Sequence, residues 1–192
     1  MEREEIIRNL EKFGVLQEGH FLLSSGLHSD KYLQCAQILQ HPEQAEKLGE
    51  GIAKKFSGEK IDLVVGPALG GVVLGYEVAR SLGCRGIFTE RKDGIMQLRR
   101  GFSIEKGERV LIVEDVVTTG KSALEVLEVV EGEGAEIVGI SAIVDRSPKD
   151  LKLPVPFKPL LRVEVEIFSP DNCPLCEQEI KLVKPGSRES KK

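Results

Sequence analysis

The stretch Val110-Leu-Ile-Val-Glu-Asp-Val-Val-Thr-Thr-Gly-Lys-Ser122 decides the fold. Val110 to Val113 form an unbroken apolar run, the pattern of a short strand buried on both faces. Glu114 and Asp115 stand where that strand is expected to end. After Val116 and Val117 come Thr118, Thr119, Gly120, Lys121 and Ser122, which open a helix. A helix start offers unpaired N–H groups and the positive end of its dipole to a phosphate. Paired carboxylates accept hydrogen bonds from sugar hydroxyls. Strand, acids, hydroxyls and helix start together fit a phosphorylated sugar, with Asp115 as an exposed ligand. A P-loop is the nearest competitor, because Gly120-Lys121-Ser122 ends like one. Its first glycine would fall at Asp115, so the pattern fails. A plain buried strand with a solvated acidic end accounts for each residue singly but not for the group.

Working outward, the periodicity predicts a helix over 2–13, with Ile6, Ile7, Leu10 and Phe13 on one face. Phe21 to Ser29 reads as a strand running into a Ser- and Gly-rich turn. Pro42 opens a second helix with Ala45, Leu48, Ile52 and Phe56 as its stripe. A strand at 61–65, a glycine-rich loop at 66–71, a helix at 72–82 and a strand at 84–89 follow. Residues 90–106 are basic and poorly periodic and read as a long loop or flexible hairpin. Gly132 and Gly134 end the signature helix, 137–144 is the next strand, and Leu160 to Phe168 reads as one late strand. Alternating strands and helices predict a parallel sheet covered on both faces. Ligands then bind at the carboxyl ends of its strands, where the loops 66–71, 90–101 and 114–122 converge.

Bulk properties bound the alternatives. The 192 residues suit one domain, 1–192, with an N-terminal hood at 1–40 and a charged, frayed tail at 184–192. A net charge of −4 argues against nucleic acid as the main partner. No run is apolar enough to span a membrane, and the acidic N-terminus lacks a leader pattern, so a cytoplasmic protein is expected. Cys35, Cys84, Cys173 and Cys176 are too few for a disulfide scaffold. Cys173-Pro-Leu-Cys176 is a single CxxC and reads first as a turn, since no second ligand pair is visible, with metal or redox chemistry as the alternatives. His20, His28 and His41 are scattered and read as surface or loop residues.

Other segments add chemistry. Small residues at Gly66-Pro-Ala-Leu-Gly-Gly71 let backbone N–H groups of Ala68, Leu69 and Gly70 approach an anion. Arg91, Lys92, Arg99 and Arg100 can stabilise charge on a departing group if their loop closes. Arg146, after Val144-Asp145, offers a guanidinium to a planar anion.

The 110–122 stretch closely resembles the phosphoribosyl pyrophosphate (PRPP) signature of the type I phosphoribosyltransferases. Lys121 stands where that family usually has a small residue. The resemblance covers most of 20–148 and implies the α/β fold of that family, a parallel sheet flanked by helices beneath a small hood. It implies that Glu114 and Asp115 hold the ribose hydroxyls and that residues 116–122 wrap the 5′-phosphate. Ala68, Leu69 and Gly70 would bind pyrophosphate, and Arg91 and Lys92 would act from the catalytic loop. Phe21-Leu-Leu-Ser-Ser-Gly-Leu-His-Ser29 with Tyr32 is similar to the N-terminal element of the orotate-using members. Ser25, Gly26, Tyr32, Thr118 and Arg146 are then the expected orotate-binding residues. Many members carry lysines where this chain has Ser24 and Gly70. The implied reaction joins orotate to PRPP, giving orotidine 5′-monophosphate and pyrophosphate. Magnesium would be held mainly through PRPP, with Asp115 as a candidate protein ligand. A homodimer with shared sites is also implied. The competing readings are a purine-base phosphoribosyltransferase and a non-enzymatic PRPP-binding regulator.

Overall fold

The computed structural model describes residues 3–23, 26–147 and 151–185. The chain opens with α1 (Arg3–Lys12), β1 (Leu16–Leu22), β2 (His28–Leu33), a short α2 (Ala36–Leu39) and α3 (Pro42–Lys55). The central unit follows: β3 (Leu63–Pro67), α4 (Gly70–Leu82), β4 (Arg85–Lys92), β5 (Ile95–Leu98), β6 (Arg109–Val117), α5 (Lys121–Gly132) and β7 (Glu136–Asp145). The C-terminal part holds β8 (Leu161–Arg162), β9 (Ile167–Phe168), a 3₁₀ turn at Pro170–Asn172, α6 (Pro174–Glu177) and β10 (Leu182–Val183).

The main sheet has six strands in the order β5-β4-β3-β6-β7-β8. All neighbours are parallel except β4 and β5. Period-2 alternation sends its apolar residues to two cores. Val64, Leu111, Val113 and Ile143 pack with Leu48 and Ile52 of α3 and with Leu74 and Val78 of α4. Leu63, Val65, Val110 and Ile112 pack on the other side with Ala123, Val126, Leu127 and Val130 of α5. The chain leaves β3 toward β4 but leaves β6 toward β7. The order therefore reverses between neighbours β3 and β6, and the crevice lies beyond their carboxyl ends.

Three sequence expectations meet the structure as follows. Of the two readings of residues 90–106 the hairpin holds and the long loop does not, because β4 continues to Lys92 and pairs with β5 from Thr89↔Leu98 to Lys92↔Ile95. Asp93 and Gly94 turn the hairpin with φ of 54° and 84°. Positive φ at both central residues is what a tight two-residue hairpin needs, and Asp-Gly supplies it. The expected late strand at 160–168 is two pieces: Leu161–Arg162 extends the main sheet beside β7, whereas Ile167–Phe168 pairs with β2.

The third expectation is corrected: the hood is not confined to residues 1–40. Its four-stranded sheet has the order β10-β1-β2-β9, so the C-terminal segment supplies both outer strands. That return carries Cys173 and Cys176, expected to form a plain turn, onto His20 and His28, which were expected at the surface or in loops and are buried. The tail beyond residue 185 lies outside the described residues.

Candidate active site at the carboxyl edge of the sheet

β6 is longer than its apolar run. Val116↔Val144 and Val117↔Asp145 extend the ladder with β7, so Glu114 and Asp115 lie within the strand rather than beyond it. Successive strand residues face opposite sides. Asp115 falls on the α4 side and Glu114 on the α5 side, both half-buried. Asp115 is thus not the exposed group expected from sequence. A Cβ at Gly70 would stand 2.4 Å from Asp115 Oδ1, so any larger residue there requires the carboxylate to shift. The Val116 N–H donates to Asp115 Oδ1 at 2.9 Å. Burial still outweighs that bond and raises the carboxyl pKa above its ordinary value.

The loop between β3 and α4 shrinks to Ala68 and Leu69, because Gly66 and Pro67 extend the strand and Gly70 and Gly71 begin the helix. The Ala68–Leu69 peptide is cis. Ala68 N–H donates to the Thr89 carbonyl at 2.7 Å, tying this loop to β4. Leu69 is 82% exposed.

On the other side of the crevice, Gly120 caps α5 with φ of 73°. A left-handed cap there favours glycine, and it turns the chain sharply into the helix. Gly120 offers no side-chain cap, so beyond the Lys121 N–H the first-turn N–H groups are available to an anion. Thr119 Oγ1 accepts from the Lys121 N–H at 3.4 Å, and the exposed Lys121 ammonium stands 3.9 Å from Glu125.

Arg91 leans from β4 onto the same helix. Its Nη2 donates to Ser122 Oγ at 3.2 Å, and its Nε donates to Glu125 Oε2 at 3.0 Å. The phosphate-binding candidates and the basic hairpin are thus joined at Ser122 and Glu125. Glu125 is a residue the sequence reading missed. The signal for it was the Lys121–Glu125 spacing of one helical turn. Lys92 sits exposed at the hairpin end. Arg99 and Arg100 both pair with Glu90 of their own hairpin, at 3.1 and 3.0 Å.

Arg146 follows β7 and is 7% exposed, which rules out a surface salt bridge. Its Nε donates to Thr118 Oγ1 at 3.1 Å. Burial lowers its pKa, while the Tyr32 hydroxyl opposes that shift. A guanidinium remains charged regardless. Thr118, Arg146 and Tyr32 are therefore brought together, as expected. Tyr32 also stacks at 5.7 Å between centroids on Phe21. Gly26 is exposed in the turn between β1 and β2, with φ of 84°. Ser25 and Ser24 lie outside the described residues.

Among the described residues, no helix is long and apolar enough to cross a membrane. Residues 34–158 match the phosphoribosyl transferase domain. The orotate phosphoribosyltransferase of Caldicellulosiruptor saccharolyticus is 54% identical over 191 residues, covering 100% of both chains. Among solved structures, an orotate phosphoribosyltransferase of Mycobacterium tuberculosis H37Rv superimposes with a TM-score of 0.69 at 22% identity, over 84% of this chain and 96% of that one. An adenine phosphoribosyltransferase of Thermoanaerobacter pseudethanolicus gives 0.60 at 20% identity, over 69% and 88%. The fold is common to enzymes for different bases.

Proposed function

The chain belongs to the phosphoribosyltransferase family, and from that premise we propose that it transfers the 5-phosphoribosyl group of PRPP to orotate, giving orotidine 5′-monophosphate and pyrophosphate. One observation carries the choice of base. Arg146 is a buried guanidinium hydrogen-bonded to Thr118, next to the phosphate-binding helix start. A buried cation calls for a partner of opposite charge. Orotate is a planar anion with a carboxylate and carbonyls to offer, whereas a neutral purine would leave Arg146 uncompensated.

The remaining roles follow from position. The N–H groups of the 118–122 turn hold the 5′-phosphate, with Thr118, Thr119 and Ser122 adding hydroxyls and Val116 and Val117 carrying the backbone to them. Glu114 and Asp115 accept from the ribose hydroxyls and favour positive charge developing at C1. Leu69 and Gly70 face the pyrophosphate with their backbone N–H groups, and Ala68, whose own N–H is held by the Thr89 carbonyl, fixes the start of the loop. Arg91 and Lys92 act from the hairpin. The N1–C1 bond forms as the C1–O bond to pyrophosphate breaks, and the electron pair departs on the pyrophosphate oxygen. Binding energy at the remote phosphate holds C1 in place for this exchange. Phosphoribosyltransferases generally use magnesium with PRPP. The Asp115 carboxylate suits it as a hard oxygen donor at the crevice, packed against a residue with no side chain. When bound, the ion neutralises charge on the departing pyrophosphate.

Leu69, Val73 and Tyr76 recur at helical spacing along the start of α4 and are 82%, 47% and 64% exposed. This apolar face supports a homodimer, with the hairpin tip at Lys92 reaching the neighbouring site. Free thiols at all four cysteines suit a reducing cytoplasm. The activity is tested by supplying PRPP and magnesium with orotate, adenine, hypoxanthine, guanine or uracil and identifying products by chromatography. Orotidine monophosphate from orotate alone is expected. Turnover of a purine instead, or PRPP binding without turnover of any base, would overturn the reading.

A further inference from the structure

The ligand atoms of His20, His28, Cys173 and Cys176 all lie within 4.8 Å of one another, far from the loops just described in role and composition. We infer that these four side chains form a structural zinc site that fastens the C-terminal segment to the N-terminal hairpin. Three nitrogen-to-sulfur separations suit such an ion directly, and the widest separation, 4.8 Å, closes by about 1 Å as the ligands gather on it. His20 Nε2 stands 3.5 Å from Cys173 Sγ and 3.7 Å from Cys176 Sγ, and His28 Nδ1 stands 3.4 Å from Cys176 Sγ. Tetrahedral zinc, with bonds of about 2.3 Å to sulfur and about 2.05 Å to nitrogen, sets such nitrogen-to-sulfur edges at about 3.6 Å. The ring nitrogens are 2.9 Å apart, somewhat inside the corresponding edge of about 3.3 Å, and a small ring rotation closes that difference. Two thiolates and two imidazoles in this arrangement select zinc over harder cations.

Three further observations point the same way. His20 Nδ1 lies 2.7 Å from the Ile180 carbonyl. That contact requires the proton on Nδ1 and leaves the Nε2 lone pair aimed into the cluster, the outer-partner arrangement of metal-bound histidines. The hairpin is shaped for the pair: β1 carries a bulge between Glu18 and Phe21, and beyond it Leu22↔His28 puts His20 and His28 on one face. Finally, the C-terminal segment cannot hold itself by burial. Cys173 is the sole buried residue among the described residues 163–185, and the elements there are two to four residues long. A segment with so little core needs a staple, and a metal supplies one directly as folding energy.

Both cysteines are free thiols, and Cys173 and His20 are 1% and 2% exposed. Deprotonated on an ion they are satisfied. Without one, two imidazoles and the Cys173 thiol share a buried site with few good donors, open to solvent only at Cys176.

The test uses the full chain and is read without any activity assay. Protein prepared with Zn2+ present is expected to retain about one zinc per chain after dialysis, released by a thiol-blocking mercurial. Replacing zinc with Co2+ should give the intense visible bands of a tetrahedral site and a thiolate-to-cobalt charge-transfer band. Cys176→Ser and His28→Ala should each reduce retained zinc to below about a tenth, while Cys84→Ser keeps it. Should a variant fail to fold, the wild-type chain suffices. Removing the metal with a chelator should open residues 163–185 to limited proteolysis, and Zn2+ should restore protection. A six-coordinate cobalt spectrum, proteolysis indifferent to Zn2+, or a Cys173–Cys176 disulfide in anaerobically trapped protein would each overturn the site.

Discussion

The central sheet and the hood solve the same problem in different ways. In the sheet, β3, β6 and β7 are covered on both faces, and Leu111 and Ile112 of one strand serve opposite cores, each 0% exposed. Burial of this kind is non-directional and spread over many residues. It leaves the carboxyl edge of the sheet free to carry carboxylates, hydroxyls and open N–H groups. The hood has a four-stranded sheet whose outer strands are two residues long, and a polar cluster at its seam. β2 still shares the main core through Leu33, but the two outer strands bury little and rest on a few directional contacts. The sheet therefore tolerates chemistry at its edge, while the outer strands of the hood depend on chemistry for their place.

Breaking each region should give distinct readouts. Leu111→Ala removes a fully buried side chain between α4 and the sheet. It should cost about 2–5 kcal/mol in a denaturant titration, equally with or without a chelator. A chelator-dependent loss would mean that the two regions are not independent.

Asp115→Asn should lower turnover about 100-fold, close to 2.7 kcal/mol at the barrier, without lowering thermal stability at neutral pH. The sign follows from the raised carboxyl pKa. A folded-state pKa above the unfolded one contributes stability below the unfolded value, and that contribution is lost as pH rises through the folded value. At neutral pH the charged carboxylate is therefore a net cost that Asn removes. Any gain in melting temperature should disappear on acidification below the ordinary carboxylate range. A variant that loses stability at pH 7 but keeps its rate would contradict this account.

The smallest effect is expected at the basic hairpin. Arg99→Ala should change stability by no more than about 1 kcal/mol, because its partner Glu90 is also held by Arg100 at an exposed site. Turnover should stay within about twofold, whereas Arg91→Ala, which loses its contacts to Ser122 and Glu125, should fall further. Equal losses for both would restore Arg99 to the catalytic set.

What could be read from sequence follows the same division. Val110 to Val113, Thr118-Thr119-Gly120 and the stripes of α3 and α5 carry their signals within one window, so the parallel sheet and its ligand edge were legible. The Asp93-Gly94 turn was equally local, and a hairpin was one of the two readings of 90–106, but the run of cations around it left the strand pairing unread. Leu160 to Phe168 read as one strand because nothing local marks the crossing from main sheet to hood. The bond from the Ser29 hydroxyl to the Glu166 carbonyl at 2.9 Å joins residues far apart in the chain. The His20–Cys173 contact spans 153 residues and depends on a bulge in β1, so no spacing rule could have found it. Gly70 was legible as small, but the reason, the Asp115 carboxylate above it, emerges only when two strands are neighbours.

The account assigns the sugar phosphate to the edge of the sheet and the base to the buried guanidinium beneath the hood. The most direct test is steady-state kinetics of Arg146→Leu against both substrates. The KM for orotate should rise about tenfold or more, near 1.4 kcal/mol, while the KM for PRPP stays within about twofold. Equal weakening toward both substrates, or no change toward orotate, would contradict that division of the site.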